Sequence, residues 1–356
     1  MTVSDTGKPG ALPDPATEIR MTTLHSTRGK NFWSLRPVTR MDLAVGSYDD
    51  ISSAAVPGFV DRLIGAMPGL VEHRCSIGER GGFVLRLRRG TYAPHIIEHV
   101  ALELQTMMGH DVGFGKTRGG DVEGEYTLVF EHEHEQVGLR AAALALQTVQ
   151  QAFDGVLESV DAAVAELKAI AATPDTPPLH HRVLCGVTGG AGRADAQRLL
   201  RERLADESAL VIDVSPAFLL QAGLPYARSQ AAIILDAALT DVPPRYQEEE
   251  RATQLVNILS DAVDRDGMVV CPAKAWEIQD YARESGCRIA VFATDDDVTA
   301  RDSRRARAVG RVRAGRIVVE GGDGDEDCGP LDPALPATSQ VAAALARATL
   351  RGAGAQ

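Results

Sequence analysis

The chain has 356 residues, of which 44% are hydrophobic, so it can bury a substantial core and is long enough for two domains. Its 37 Lys and Arg residues stand against 49 Asp and Glu residues, and the net charge of -12 argues against a nucleic-acid partner held by phosphate contacts. Five scattered cysteines without C-x-x-C spacing fit buried thiols, and no apolar stretch approaches the ~18 residues of a membrane span, so we expect a cytoplasmic protein without a membrane partner.

The first half of the chain predicts an α+β domain. Residues 1–20 have no apolar periodicity and predict a disordered leader. Between residues 21 and 173 the pattern then predicts, in chain order, a strand, a segment interrupted at Pro37, a helix over 57–68, short strands around 82–88, a helix from about 94 to 108, a strand at 125–131 and a long helix from about 134 to 171.

A proline-rich linker separates this domain from a second one. Three prolines between residues 174 and 178 cannot continue a helix, because each removes a backbone donor, so we place a linker at 174–181. From 182 to 335, strands at 182–187, 209–214, 231–235, 268–271 and 288–292 alternate with helical stretches, which predicts an α/β domain with a parallel sheet. The stretch 321–332 is rich in Gly, Asp and Pro and is expected to be a tail, and residues 336–356 predict a carboxy-terminal helix and its frayed end.

The motif H-x-x-E-H lies in the apolar helical run of residues 94–108. Residues four apart share a helix face, so His95 and His99 can offer two imidazoles to one divalent ion, for which zinc is the typical choice. Glu98 lies beside the second histidine and is the candidate general base. Alternatively, the three side chains are only solvated or hydrogen-bonded to other polar groups.

A zinc centre of this type needs a third protein ligand. Glu103 continues the stripe of His95 and His99, whereas Glu131 ends the strand 125–131 and would approach from a neighbouring element. Glu72 or His73 is a third possibility. The sequence leaves the choice open.

Several segments together resemble the amino-terminal domain of cyanophycin synthetases, which build a polymer of β-aspartyl-arginine. They are RGKNFWS at 28–34, VPGF at 56–59, LVEHRCS at 70–76, GGF at 81–83, GTY at 90–92, HIIEHVALEL at 95–104, VGFGKTR at 112–118 and VFE at 129–131. Their order and spacing stay in register over about 130 residues.

The resemblance implies a metallopeptidase-like fold and, as in some members of that family, internal cleavage of the polymer. The residues linked to that activity match Arg86, His95 and Glu98, and His99 completes the motif. The planar fork of Arg86 would hold an aspartyl carboxylate of a β-aspartyl-arginine substrate. In the alternative interpretation, Arg86 is a surface residue paired with an acid such as Glu79.

From residue 182 onward the chain resembles the central domain of Mur ligases, and an ATP-grasp domain expected of a complete synthetase is absent. Residues 186–194 occupy the place of the phosphate loop, where Gly189 and Gly192 would line a nucleotide. Arg193 and Ala194 replace the lysine and the hydroxyl residue of a working loop, so we expect ATP turnover to be lost and ATP not to be a cofactor. Residual nucleotide binding through the glycine turn and the helix amino terminus is the alternative.

Three functional hypotheses follow. The first is a metal-dependent hydrolase of β-aspartyl-arginine chains or a related isopeptide, in a homo-oligomer built on the second domain. The second is a non-catalytic partner or scaffold of an active synthetase or ligase. The third, weaker hypothesis is residual ATP-dependent ligation by the second domain.

Overall fold

The computed structural model describes residues 12–204, 209–294, 298, 305–321 and 324–353. The chain divides into two compact units, one formed by Met1–Ser26 and Val38–Thr176 and the other by Thr27–Pro37 and Pro177–Gln356. The division at Thr176 lies inside the proline-rich stretch. Residues 27–37, which the sequence assigned to the first domain, belong to the second unit, because Phe32 is buried there and contacts Tyr246 edge to face at 5.1 Å.

The expected disordered leader is wrong for residues 12–20. Helix α1 (Pro15–Glu18) begins at Asp14, whose carboxylate accepts a hydrogen bond from the amide of Ala16. Ile19 follows and is fully buried in the core, so this segment is held by apolar contact as well as by its cap. Residues 1–11 lie outside the described residues.

The first unit packs helices against one four-stranded sheet. The sheet has the order β1-β2-β4-β3, and β4 runs antiparallel to both β2 and β3. After α1, its elements are β1 (Arg20–Thr27), β2 (Val38–Ala44), α2 (Phe59–Ala66), α3 (Gly82–Arg89), α4 (Ala93–Met108), β3 (Gly115–Gly119), β4 (Glu125–Glu131), α5 (Glu135–Asp154) and α6 (Asp161–Ala171). The predicted helix at 94–108 and strand at 125–131 are thus confirmed.

Two element predictions in this unit are wrong. The stretch 82–88 is helix α3 and not short strands, because Phe83 and Leu87 are buried one turn apart while Leu85 between them is exposed. The long helix at 134–171 is two helices, because Gly155 takes the left-handed conformation with φ +80° and ends α5.

The second unit is built on an eight-stranded sheet of order β12-β11-β10-β9-β8-β7-β5-β6. Six neighbouring strands are parallel, namely β6, β5, β7, β8, β9 and β10 in sheet order. Beyond β10, β11 and β12 extend the sheet as antiparallel strands. Its elements are β5 (Arg182–Thr188), α7 (Arg193–Leu204), β6 (Val211–Asp213), α8 (Pro216–Ala222), β7 (Arg228–Ile234), α9 (Glu249–Val256), α10 (Ile258–Ala262), β8 (Val263–Pro272), α11 (Trp276–Glu284), β9 (Arg288–Phe292), β10 (Ala308–Arg313), β11 (Arg316–Gly321), β12 (Gly324–Pro330) and α12 (Ala337–Ala353).

The predicted order of an α+β domain followed by an α/β domain is confirmed. Apolar clusters cover the second sheet on both faces, one with α8 to α11 and the other with α7 and α12. Within the stretch expected to be a tail, Gly324–Pro330 form the edge strand β12, which pairs with β11. Among the described helices, none combines the length and apolar character needed to cross a bilayer.

Candidate metal centre

Helix α4 carries the H-x-x-E-H motif into the interior of the first unit. It begins after Tyr92 with Pro94 in its first turn, and it ends at Gly109, which takes the left-handed conformation. His95 and His99 lie one turn apart with ring centroids 4.9 Å from each other, and Glu98 and His99 are both buried. The helical spacing therefore brings the two imidazoles together, as predicted.

Cys75 lies beside this pair, although the sequence analysis did not consider it as a ligand. Its Sγ is 3.3 Å from Nε2 of His95, and ligand atoms of Cys75, His95 and His99 lie within 4.8 Å of one another. Within the part of the chain that the structure describes, this is the only such group of three or more His, Cys, Asp or Glu residues. Cys75 is also one of few non-glycine residues with positive φ, at +52°, a conformation typical of functional sites.

Two of the predicted third ligands lie near the histidines but are engaged elsewhere. Glu103 accepts a hydrogen bond at 2.9 Å from Nε2 of His73, whose Nδ1 lies 2.8 Å from Nδ1 of His99. Glu72 pairs with Arg80, whose Nε lies 2.7 Å from its carboxylate. Glu103 and His73 therefore contact His99, and Glu72, which also lines the cavity, is paired with Arg80.

Glu131 is not brought to the histidines. Phe130, its neighbour on β4, packs in the same core as Ile96 and Val100 of α4. Because side chains alternate along a strand, Glu131 points to the opposite face of the sheet. Accordingly, it is absent from the described residues that line the cavity at α4. The strand position predicted from sequence is correct, but its face is wrong for metal binding.

The burial of the site shifts the pKa of each member of the motif. Burial, aided by the charge of Arg86, lowers the pKa of His95 to about 4. For His99, burial and the neighbouring His95, His73 and Arg86 lower the pKa to about 2. Both imidazoles are therefore neutral near pH 7, which is the form that binds a metal.

The carboxyl group of Glu98 is buried and accepts a hydrogen bond from a side chain of the neighbouring strand. Burial raises its pKa to about 7, against the lowering effects of the Thr117 hydroxyl and the Arg86 charge. Thr117 donates to its Oε2 at 2.5 Å from the adjacent strand β3. Gly115 on the same strand leaves room for it, since a Cβ there would lie 2.7 Å from Oε1 of Glu98.

Helix α3 supplies two further site residues. The ring of Phe83 stacks on that of His99, with centroids 3.8 Å apart and planes at 20°. Arg86, three residues later, donates from Nη1 to Oγ of Ser76 at 2.6 Å, so the predicted alternative of an ion pair with Glu79 is not the contact that forms. Phe83 contacts α4 directly, whereas Arg86 is exposed and lines the cavity beside it.

These residues line one cavity of about 900 Å³. Its walls include Arg86, His95, Glu98 and His99, together with Cys75, so the thiol, both imidazoles, the carboxyl and the guanidinium share one space. A volume of this order accommodates a small peptide segment.

The loop after β5 in the second unit, predicted as a degenerate phosphate loop, is hydrogen-bonded to Arg193 and to Asp236, which follows β7. Arg193 donates from Nη1 to the carbonyl oxygens of Gly189 and Gly190, at 2.8 and 2.7 Å. The carboxylate of Asp236 accepts a hydrogen bond from the amide of Gly190 at 2.8 Å. Gly192 keeps the left-handed conformation of a turn, with φ +85°. The amide of Gly190 therefore already binds a carboxylate.

Comparison with known proteins matches the first unit to one family. Residues 40–154 match the family described as "Cyanophycin synthase-like N-terminal domain". The cyanophycin synthetase of Synechocystis sp. is 45% identical over 134 residues, which are 36% of this chain and 15% of that protein. The cyanophycin synthetase of Crocosphaera subtropica is 46% identical over 131 residues, with the same coverage of 36% and 15%. The matched segment spans about 15% of the length of these relatives.

Solved structures of Mur ligases are similar at low identity. The MurF ligase of Thermotoga maritima in complex with ADP aligns with a TM-score of 0.34 and 12% identity, over 50% of this chain and 47% of that one. A UDP-N-acetylmuramoyl-L-alanyl-D-glutamate–2,6-diaminopimelate ligase aligns with a TM-score of 0.37 and 12% identity, over 63% and 56%.

Proposed function

We propose that the first unit, a cyanophycin synthase-like N-terminal domain over residues 40–154, is a metal-dependent hydrolase. Its substrate would be a β-aspartyl-arginine chain or a related isopeptide. The observation that carries the proposal is the convergence of Cys75, His95 and His99 within 4.8 Å, in a cavity that also contains a buried carboxyl.

The donor set fits a zinc ion. Two neutral imidazoles and one thiolate, formed when Cys75 releases its proton on metal binding, are typical zinc ligands. Three protein ligands with one open position are characteristic of a catalytic rather than a structural site. Such an ion would polarise the scissile carbonyl and lower the pKa of an attacking water. Cys75, His95 and His99 would hold it.

Glu98 would act as general base and then as general acid. Burial raises the pKa of its carboxyl to about 7, so near neutral pH the group can both accept and return a proton. In this proposal, it takes a proton from the attacking water and delivers it to the departing amine. The Thr117 hydroxyl, 2.5 Å from Oε2, orients the carboxylate toward the cavity.

Arg86 would hold a carboxylate of the substrate. A guanidinium has five N–H donors in a planar fork, and the Ser76 hydroxyl takes one of them. The charge of Arg86 lowers the pKa of His95, Glu98 and His99, which places it within electrostatic reach of all three. The net charge of -12 also favours a substrate rich in guanidinium groups.

The experiment is a cleavage assay with the purified full chain. Zinc-loaded protein is incubated with cyanophycin, and chain length is followed by gel electrophoresis. We expect fragmentation, which Glu98→Gln and chelation both abolish, while Glu98→Gln retains bound zinc. Intact polymer after prolonged incubation with the zinc-loaded wild type would reject this substrate and reaction.

The second unit fits a non-catalytic role as a scaffold or oligomerisation platform for a synthetase or ligase partner or for a second copy of this chain. The specific observation is that Arg193 and Asp236 hydrogen-bond to the backbone of the loop after β5. Titration with ATP and magnesium should therefore give no binding heat. Measurable ATP binding would favour residual ligase chemistry instead.

A further inference from the structure

Glu103 and His99 are buried, and the partly buried His73 connects them by two hydrogen bonds. The carboxylate of Glu103 contacts Nε2 of His73 at 2.9 Å, and Nδ1 of His73 contacts Nδ1 of His99 at 2.8 Å. The side chains of His73 and Glu103 are only 14% and 4% exposed. Since solvent has little access to these groups, each must satisfy its hydrogen bonds with the others.

The donor and acceptor roles in these two hydrogen bonds follow from the chemistry of the three side chains. An ionised carboxylate only accepts hydrogen bonds, so Nε2 of His73 must carry the proton between it and Glu103. When His73 carries one proton, on Nε2, its Nδ1 keeps a lone pair and accepts the second hydrogen bond from Nδ1 of His99. As a result, Nε2 of His99 carries no proton and keeps its lone pair.

His95 has a comparable arrangement. Its Nδ1 lies 2.9 Å from Oγ1 of Thr91, while Nε2 faces the sulfur of Cys75 at 3.3 Å. Each motif histidine therefore uses Nδ1 for a hydrogen bond on one side of the ring. In metal sites, such outer hydrogen bonds fix the tautomer and the orientation of a ligating imidazole.

We propose that Glu103 and His73 are positioning residues that hold His99 in its Nδ1–H tautomer and present its Nε2 to a zinc ion. This inference rests on the metal site of the proposed function and adds two residues to it. Glu103, weighed from the sequence as a direct ligand, would then act through His73.

Gly69 makes this arrangement possible. A Cβ at this position would lie 1.9 Å from Oε1 of Glu103 and 2.8 Å from its Cδ, so any side chain would displace the carboxylate. Gly69 is not among the residues with positive φ, so its backbone accepts alanine without strain. Gly69→Ala thus disturbs the chain of hydrogen bonds without touching either histidine.

The test measures zinc affinity of the full chain by competition with a chromophoric chelator. We expect His73→Phe, Glu103→Leu and Gly69→Ala each to weaken zinc binding by about 10- to 100-fold. Glu103→Gln keeps an acceptor oxygen of the same reach and should lose less than Glu103→Leu. Gly65→Ala, which meets nothing within 4 Å, is the matched control for the glycine change and should bind zinc as the wild type does.

A second readout needs no metal. In protein labelled with ¹⁵N-histidine, the ring shifts of His99 should report a proton on Nδ1 in the wild type and a mixture of tautomers in His73→Phe. If the wild type binds zinc and the three variants bind it equally well, or if His99 carries its proton on Nε2, the positioning role is wrong while the metal site stands. A wild type that binds no zinc would reject both.

Discussion

Replacing Gly115 by alanine should move the proposed general base without disturbing the proposed ligands. The added Cβ would lie 2.7 Å from Oε1, 2.9 Å from Cγ and 3.0 Å from Cδ of Glu98, whereas ordinary contact begins at 3.4 Å. A gap of about 0.7 Å therefore has to be opened at Oε1. The backbone of Gly115 has no positive φ, and the atoms it meets end a flexible side chain, so the carboxylate moves and the fold is kept.

The expected cost follows from the sensitivity of catalysis to position. A displacement of about 1 Å at a reacting group costs roughly 100-fold in rate, so Gly115→Ala should lower kcat by about 10- to 100-fold. Zinc affinity should stay at the wild-type value, because His95 and His99 are untouched.

The assay is the initial rate of polymer cleavage, with zinc content measured on the same samples. Gly119→Ala, on the same strand and with open space around its Cβ, is the matched control and should keep full activity. Equal rates for Gly115→Ala and the wild type would show that Glu98 does not act from its observed position.

Three further predictions concern the ligands and the fold. Cys75→Ser should weaken zinc binding by at least about 100-fold in the chelator assay, more than losing an outer hydrogen bond costs; unchanged affinity would remove Cys75 from the site. Glu131→Gln should leave zinc affinity unchanged, and a large loss would mean that the carboxylate reaches the ion after all. Burial alone would raise the pKa of Asp42, but hydrogen bonds from Thr127 and Thr23 and the charge of Arg40 outweigh it, so the pKa lies below 3.8. The stabilising contribution of the Asp42 carboxylate is therefore present above about pH 4, and it is lost as the pH falls through the lower pKa of the folded state. Asp42→Asn should therefore cost about 1–3 kcal/mol near pH 7 in urea unfolding, and the difference should shrink in acid; a pH-independent difference would contradict this assignment.

The sequence allowed the central helix of the site to be predicted because its signals are local. Residues 94–108 are mostly apolar, Pro94 lies at the start and Gly109 at the end, and the spacing of His95 and His99 is one helical turn. The alternating strands of the second half also carry their own signal, since buried parallel strands are continuous apolar runs.

The rest of the site depends on tertiary contacts that no spacing rule encodes. Cys75 reaches His95 from a turn twenty residues earlier in the chain, and only the fold brings its Sγ to Nε2. Glu131 was a candidate ligand in the sequence analysis, but its face of β4 depends on how the sheet packs on α4, where Phe130 is buried. For Gly155 a local signal did exist, because glycine commonly ends helices, but the apolar pattern on both sides of it concealed the break.

Zinc K-edge X-ray absorption on the zinc-loaded full chain is the most direct test of the proposed metal centre. The account predicts one sulfur scatterer at about 2.3 Å and two or more nitrogen or oxygen scatterers at about 2.0–2.1 Å, with the sulfur shell lost in Cys75→Ser. A spectrum fitted by nitrogen and oxygen alone in the wild type would contradict the assignment of Cys75, His95 and His99 as the ligands.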